Sequence, residues 1–400
     1  MKLTKLMLSA FVAALALVSC NKEEGPSVKT EYKSVEIEIN NLFMTKSAGD
    51  AIADGTAVTL NNFRIYLTDG TNFYYDATDE AGVRLDETAY QFAGDPGKVI
   101  EFHFVNPSVN KVVAVANLTD DQYSKITKYA DIQAIKLDIA NQQNPDALAL
   151  FAEDALEQTG EQHIPTGDTH KPGENLITNV YKADLTFVPR VARFELDGFA
   201  VGFFAGDKAR YNKISFHQVA FNNYYPATAL YNGIEEGTLV DCRAENPTSA
   251  ISYLTANTGT EWYSDKVALE FARPASMAAD TWVEQELADN LYYHFFPLAT
   301  ATAESAGYPE LMFQVSTEDP AGAKSSTYIY TKNFKDKNGT AITSFEEGKI
   351  YRMNFSTSVE ADNGDGDVPV GEDDIDQLGR CLDITVTVDD WNVVLVTPEF

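Results

Sequence analysis

The residue with the most specific chemistry in this sequence is a cysteine near the start of the chain. Cys20 follows a serine and an apolar run at residues 6–18, which Lys2 and Lys5 precede. The run is about 13 residues, too short for a helix that crosses a bilayer and typical of a signal-peptide core. A small residue before a cysteine at this point matches the bacterial lipobox. We therefore predict a signal peptide over residues 1–19 and lipidation of Cys20; the alternative is an ordinary secretory signal with an incidental cysteine.

Lipidation would attach the chain to a membrane. Acyl chains such as palmitate contribute about 0.8 kcal/mol for each buried methylene, so several chains on one residue anchor stably. The polar, partly acidic residues 21–26 that follow resemble the surface-export signal of Bacteroidetes lipoproteins, or form a plain solvated linker. We expect an outer-membrane lipoprotein that is then exposed at the cell surface.

Signatures of catalysis are missing from the sequence. It contains no GxSxG, HExxH, GxxxxGK[ST] or GxGxxG motif. Carboxylates are abundant, but spacing along a sequence cannot give the separation in space that a glycosidase needs. The five histidines are widely spread, at positions 103, 163, 170, 217 and 294. We predict no catalytic residue, no cofactor and no metal, and hence no enzyme.

An acidic, glycine-containing run at residues 362–374 resembles a calcium-binding loop. The EF-hand register fails, because Val368 stands where glycine is required and Asp374 where the bidentate glutamate belongs. We expect a flexible, solvated acidic loop that includes Glu372.

Paired tyrosines offer a second candidate binding surface. Tyr74 and Tyr75, Tyr224 and Tyr225, and Tyr292 and Tyr293 are adjacent in the sequence. They could form a platform for a sugar, but adjacent residues of a strand point one inward and one outward, so strand propensity alone also explains them.

Charge and cysteine content limit the partners. The chain has 60 acidic and 30 basic residues, a formal net charge of −30. Such a charge repels nucleic acid and anionic lipid, so we expect no nucleic-acid partner. Cys242 and Cys381 could pair in an oxidising envelope, but their spacing does not decide this, and the absence of CxxC argues against a zinc or redox site.

Short alternating strands dominate the rest of the sequence. Residues 35–39 and 63–67 alternate apolar and polar side chains, as half-buried strands do, and Asp69-Gly70 predicts a turn after the second. Residues 99–105 alternate again, which would put Phe102 and Phe104 on one face.

The later strand patterns lie at residues 111–118, 183–196, 214–221, 267–271, 292–296, 310–315, 327–331, 351–355 and 384–388. Helical patterns are confined to residues 120–140, and residues 146–182 are mostly polar. We predict an all-β fold of two β-sandwich domains with a few short helices, divided near residue 182.

Several stretches together resemble a known family. Residues 35–48 hold a strand followed by a Lys-Ser bond, residues 184–196 and 211–221 hold two apolar strands, and residues 348–355 and 383–400 end the chain with strands and Trp391. They are similar to the fimbrillins, the type V pilus subunits of Bacteroidetes. The resemblance implies transthyretin-like, Greek-key sandwiches at residues 47–182 and 183–382, after a tether and removable strand at residues 20–46.

The resemblance also implies a mechanism. In such proteins a trypsin-like protease cuts behind the first strand, and the C-terminal strand of another subunit fills the groove. Here the cut would follow Lys46, before Ser47, and the departing strand would centre on three apolar residues, Val35, Ile37 and Ile39. The family's cut follows arginine, so Lys46 puts an arginine-specific enzyme in doubt.

The C-terminal residues 383–400 are the candidate donor. The tail is apolar on both faces and therefore needs burial on both sides, either in another subunit or within its own C-terminal domain; its residues are Val393, Val394, Leu395 and Val396. The expected function is a fimbrial subunit whose partners are other copies or related subunits. The alternatives are a fimbrial anchor, a tip adhesin for a host or bacterial surface ligand, or a surface glycan-binding lipoprotein.

Overall fold

The structure is a computed structural model of the 400-residue chain. It describes residues 28–39, 42–44, 57–74, 78–79, 100–164, 176–233, 235–240, 264–298, 307–336, 338–353, 369–372, 381–390 and 392–395.

Strands make up most of the described residues, which confirms the all-β fold class. In chain order they are β1 Val28–Ile39, β2 Leu42–Met44, β3 Ala57–Leu60, β4 Phe63–Thr68, β5 Thr78–Asp79, β6 Ile100–Val105, β7 Lys111–Ala116, β8 Lys136–Asp138, β9 Leu150–Ala155, β10 Glu157–Ile164, β11 Leu176–Leu185, β12 Val188–Pro189, β13 Ala192–Phe203, β14 Lys213–Asn222, β15 Ala227–Ala229, β16 Glu235–Glu236, β17 Ser264–Ala272, β18 Thr281–Phe295, β19 Glu310–Glu318, β20 Lys324–Asp336, β21 Lys349–Met353, β22 Pro369–Gly371, β23 Cys381–Asp390 and β24 Asn392–Leu395.

Two sheets form the N-terminal part. One has the strand order β10-β11-β1-β6-β5, and the other has the order β12-β9-β7-β4. Apolar residues at alternate positions of β1, such as Val35 and Ile37, belong to the same buried cluster as Val113 of β7. Phe63 of β4 also packs edge-on against Phe187, with ring centroids 5.8 Å apart. The alternation places one face of each sheet in a shared core.

One nine-stranded sheet forms the C-terminal part, in the order β17-β14-β19-β20-β23-β21-β13-β18, with β22 also paired to β13. β23 pairs with β20 through its first half and with β21 through its second half. The sheet folds over on itself: Phe199 of β13 lies 4.7 Å from Phe216 of β14 and 5.7 Å from Phe313 of β19, centroid to centroid. These contacts between strands far apart in the sheet are those of a sandwich core.

Two small sheets connect distant parts of the chain. β8 pairs with β15, and β24 lies between β2 and β3. The boundary predicted at residue 182 falls inside β11, and β12 then joins the four-stranded sheet before β13 begins the nine-stranded one. The division into two domains stays a prediction.

Helices are few and short, as predicted. They are α1 Asp120–Ser124 and α2 Tyr129–Gln133, with single 3₁₀ turns at Ile139–Asn141, Pro145–Ala147 and Gly206–Lys208. α1 starts at a capping box, in which the Thr119 hydroxyl accepts from the N–H of Gln122 and the Gln122 side chain accepts from the N–H of Thr119. No helix in the described ranges is both long and apolar enough to pass through a membrane.

Several strands were not predicted from the sequence. One of them, β8, lies in the region of helical pattern at residues 120–140, and β9, β10 and the first seven residues of β11 lie in the polar stretch at residues 146–182. Many of their polar side chains are exposed, among them Glu157 and Glu161 of β10, whereas Thr178 of β11 is buried. β10 is an edge strand, so one of its backbone edges is unpaired within the sheet, and its polar side chains can stay in solvent.

Candidate functional site

β1 is the centre of the five-stranded sheet and contains the strand that the family resemblance implies is removable. It runs parallel to β11 and antiparallel to β6, so that both of its backbone edges are paired. Val35 lies beside Phe102 of β6, and Ile37 lies between Ile100 of β6 and Ala183 of β11. A strand in this position hydrogen-bonds to a neighbour on each side and covers part of the core beneath the sheet.

Two inward side chains of β1 are fully enclosed. Val35 and Ile37 are 0% exposed, and Ile39 is half-buried and packs against the same buried cluster. All three residues of the predicted removable strand therefore lie on one face of β1, against the buried core.

The opposite face of β1 holds a polar contact that the sequence did not reveal. The Ser34 hydroxyl is fully buried, 2.7 Å from Thr178 Oγ1 of β11 and 3.1 Å from His103 Nδ1 of β6. Gln162 of β10 donates to the same hydroxyl at 3.2 Å. The polar groups of four strands thus meet around one serine, which fixes the register of β1.

A bulge lies next to this serine. The register of β1 against β6 shifts so that His103 and Phe104 together oppose Ser34, and Phe104 has a positive φ of 56°. Phe104 packs with Leu176, in a cluster separate from the one that contains Phe102. The prediction that Phe102 and Phe104 share a face is wrong, because the extra residue of a bulge breaks the period of two.

The C-terminal strand β24 returns to the start of the chain. It pairs in parallel with β2 and with β3, with Val393 beside Leu42 and Val58, and Leu395 beside Met44 and Leu60. Three of the four predicted donor residues, Val393, Val394 and Leu395, lie in this strand, whose backbone is paired on both sides. Val396 lies outside the described residues.

The predicted processing residues are not described. Cys20, Lys46 and Ser47 fall outside the described ranges, as do Cys242 and most of the acidic run at 362–374. The structure does place the ends of the segment that contains Lys46: β2 ends at Met44 and β3 begins at Ala57.

Glu372 belongs to the acidic run but is not solvated. It is 0% exposed, and its carboxylate accepts hydrogen bonds from the N–H groups of Phe204, Arg210 and Tyr211 at 2.8–3.1 Å and from Arg273. The expectation of a solvated loop is therefore wrong at this residue. Its side chain joins β22 to the segment between β13 and β14 and to Arg273 after β17.

The histidines and tyrosines give no shared site among the described residues. No group of three or more His, Cys, Asp or Glu side chains there is arranged to hold a metal ion. Tyr292 is 43% exposed while Tyr293 is 1% exposed, which is the alternation of a strand. The guanidinium of Arg193 lies over the Tyr292 ring, 5.3 Å from its centroid.

No protein-family model and no curated protein matches the chain. Solved structures are similar to it along most of its length. A fimbrilin of Porphyromonas gingivalis W83 is 12% identical with a TM-score of 0.45, over 91% of this chain and 98% of that one. A structure from Parabacteroides distasonis ATCC 8503, described as a candidate cell adhesion protein, is 10% identical with a TM-score of 0.47 over 91% of this chain and 98% of that one.

A third structure, from Bacteroides eggerthii DSM 20697 and described in the same way, is 14% identical with a TM-score of 0.42 over 93% of this chain and 100% of that one. At such identities and TM-scores we assign no residue role from these proteins. The chain is similar to these three proteins, one of which is a fimbrilin.

Proposed function

We propose that this chain is a structural, non-enzymatic subunit of a cell-surface fimbria, which polymerises when a strand of one subunit replaces β1 of the next. The observation that carries the proposal is the position of β1. It is paired on both edges and buried on one face, and the chain leaves it through β2 towards the Lys46-Ser47 bond.

Removing β1 would leave a groove with a strong tendency to be refilled. The backbone edges of β6 and β11 would lose their partners, and the core would lose Val35 and Ile37, each fully buried. Burial of such a side chain contributes about 1.5–3 kcal/mol, and unpaired strand edges readily add another strand.

The C-terminal strand is the proposed replacement. The tail at residues 392–396 has one polar residue, Asn392, followed by four apolar ones. If the tail of each subunit enters the groove of the next, the contact is head to tail and does not close, so a filament forms. Cys20 would carry the lipid that holds the precursor at the outer membrane.

Limited proteolysis of the purified precursor with trypsin under native conditions tests the proposal. We expect one early cut after Lys46, identified by a product that starts at Ser47, followed by ladders of regular spacing on a gel. The Lys46→Gln variant should resist this cut and remain monomeric. Diffuse degradation, or a cleaved chain that stays monomeric, would contradict a stalk role and favour an anchor or a tip adhesin.

A further inference from the structure

The outward face of β1 carries two glutamates in different surroundings. Glu36 is paired in the antiparallel register directly with Glu101 of β6. Glu38, two residues further on the same face, has its Oε2 atom 2.8 Å from the Lys182 ammonium of β11. One glutamate therefore faces a like charge and the other an opposite charge.

Lys182 offsets only part of the charge at Glu36. It is the parallel-register neighbour of Glu36, but its ammonium lies 2.8 Å from Glu38 and 2.9 Å from Asp184 Oδ1. Hydrogen bonds to these two carboxylates raise the pKa of Lys182. A single ammonium thus serves Glu36, Glu38 and Asp184.

Glu101 is held in place on the other side of Glu36. Its Oε1 atom accepts from Gln162 Nε2 at 2.5 Å and lies 3.8 Å from His103 Nε2. Burial raises the pKa of Glu36, the Glu101 carboxylate raises it further, and Lys182 opposes both. Like charges directly opposite in an antiparallel pair destabilise the pairing.

We propose that the position opposite Glu101 selects the strand that fills this groove: it disfavours the acidic residue of β1 and favours an incoming strand with an uncharged or basic residue there. This inference rests on the proposed function and names the chemistry of its partner strand. β1 then binds less favourably at this position than the incoming strand, which favours the replacement of β1 over the reverse exchange.

The tail of a second copy of this chain has the required chemistry. Residues 391–398 contain no Asp, Glu, Lys or Arg. Every second residue of a strand in the groove faces the core, so the residue opposite Glu101 lies between two core-facing residues. In every register that places three alternate residues of this segment against the core, an uncharged side chain stands where Glu36 stands now.

The test compares two matched substitutions on one strand. The chain without its signal peptide receives a fluorophore at the new N-terminus and one recognition sequence for a site-specific protease after Lys46. After cleavage, fluorescence anisotropy follows release of the strand fragment in the presence of an excess of a synthetic peptide of residues 391–400. Glu36→Gln should slow release about 1.5- to fivefold. Glu38→Gln, which removes the same charge but loses the contact with Lys182, should leave release unchanged or faster.

Glu101→Gln, made in the groove, completes a double-mutant cycle with Glu36→Gln. With this substitution, Glu36→Gln should no longer slow release, because the opposing charge has gone. Equal effects of Glu36→Gln and Glu38→Gln, or an effect of Glu36→Gln that persists when Glu101→Gln is also present, would overturn the inference.

A second measurement separates this inference from the proposed function. If the cleaved fragment never leaves in any variant, strand replacement is wrong. The urea midpoint of the uncut chain then still decides the inference, because Glu36→Gln should raise the midpoint only while Glu101 is present. An unchanged midpoint would overturn it.

Discussion

Glu372 shows how much a single side chain contributes to this molecule. Its carboxylate is fully buried and accepts from three backbone N–H groups and from Arg273. A charge in such a place is stable only while its partners surround it, and its removal leaves Arg273 without its counter-ion.

We expect Glu372→Gln to lower the free energy of unfolding by about 3 kcal/mol, because the amide nitrogen would face donors that need an acceptor. Urea denaturation followed by tryptophan fluorescence measures the loss. The matched control is Asp121→Asn, which changes a carboxylate to an amide in the exposed Asp121–Lys125 pair. That change should cost less than about 1 kcal/mol. Equal losses of unfolding free energy in the two variants would show that the contacts of Glu372 add no more stability than an exposed ion pair.

The sequence did not reveal the role of Glu372. Its neighbours are acidic residues and glycines, which predict a solvated loop. Its burial depends on Phe204, Arg210, Tyr211 and Arg273, which lie roughly 100 to 170 positions earlier in the chain. A lone buried carboxylate has no local pattern, since its partners are mainly backbone groups that every residue has.

At the scale of elements, His294 joins β18 to the N-terminal part of the chain. It is 0% exposed, and its Nδ1 atom donates to the carbonyl oxygen of Gln142 at 2.7 Å. Burial lowers the pKa of His294 to about 3; the bond to Gln142 opposes this shift, and Arg193 adds to it. The folded chain therefore keeps this imidazole neutral well below its ordinary pKa of 6.5.

The pH dependence follows from that difference. The unfolded chain binds a proton on His294 as the pH falls through 6.5, and the folded chain does not until about pH 3. Stability from this residue is therefore complete above pH 6.5 and decreases below it, by about 2 kcal/mol at roughly pH 5. Urea midpoints across this range, compared between the parent chain and His294→Gln, isolate the effect. A parallel decrease in both proteins would contradict it.

Strands with a buried face could be predicted from alternation alone. Residues 35–39, 63–67 and 99–105 were expected as strands; the first two ranges lie in β1 and β4, and residues 100–105 form β6. The turn after β4 also follows its sequence signal: Asp69 Oδ1 accepts from the N–H groups of Thr71 and Asn72, and Gly70 has a φ of +88°.

The walls of the groove were harder to predict. β11, the parallel partner of β1, begins in a polar stretch, and the bulge at Phe104 has no sequence signal of its own. Nothing in the sequence around Ser34 indicates that it is buried, because its burial depends on Thr178 and His103 from two other strands. Alternation predicts which residues of one strand share a face, but not which strands pair.

At the scale of the whole molecule, the proposed function requires each subunit to be both donor and acceptor. Two variants separate these roles. A chain that ends at residue 391 keeps the groove but lacks the tail, and Lys46→Gln keeps the tail but should retain β1.

We expect neither variant to form ladders by itself with trypsin. The trypsin-treated truncated chain, mixed with the trypsin-treated parent chain, should shorten the ladders, because its groove accepts one tail but it has no tail to extend the filament. Size-exclusion chromatography with light scattering measures the length of the species. Ladders from the truncated chain alone would show that residues 392–400 are not the donor.

The small sheet β2-β24-β3 gives the Lys46-Ser47 bond a second significance. That bond lies in the 12-residue segment between β2 and β3, the two neighbours of the C-terminal strand. Hydrolysis there would detach β1 and β2 together, so that the vacancy in one sheet and an unpaired edge on β24 arise in the same event. A precursor would therefore be inert at both ends during export, and a processed subunit would become competent at both ends at once.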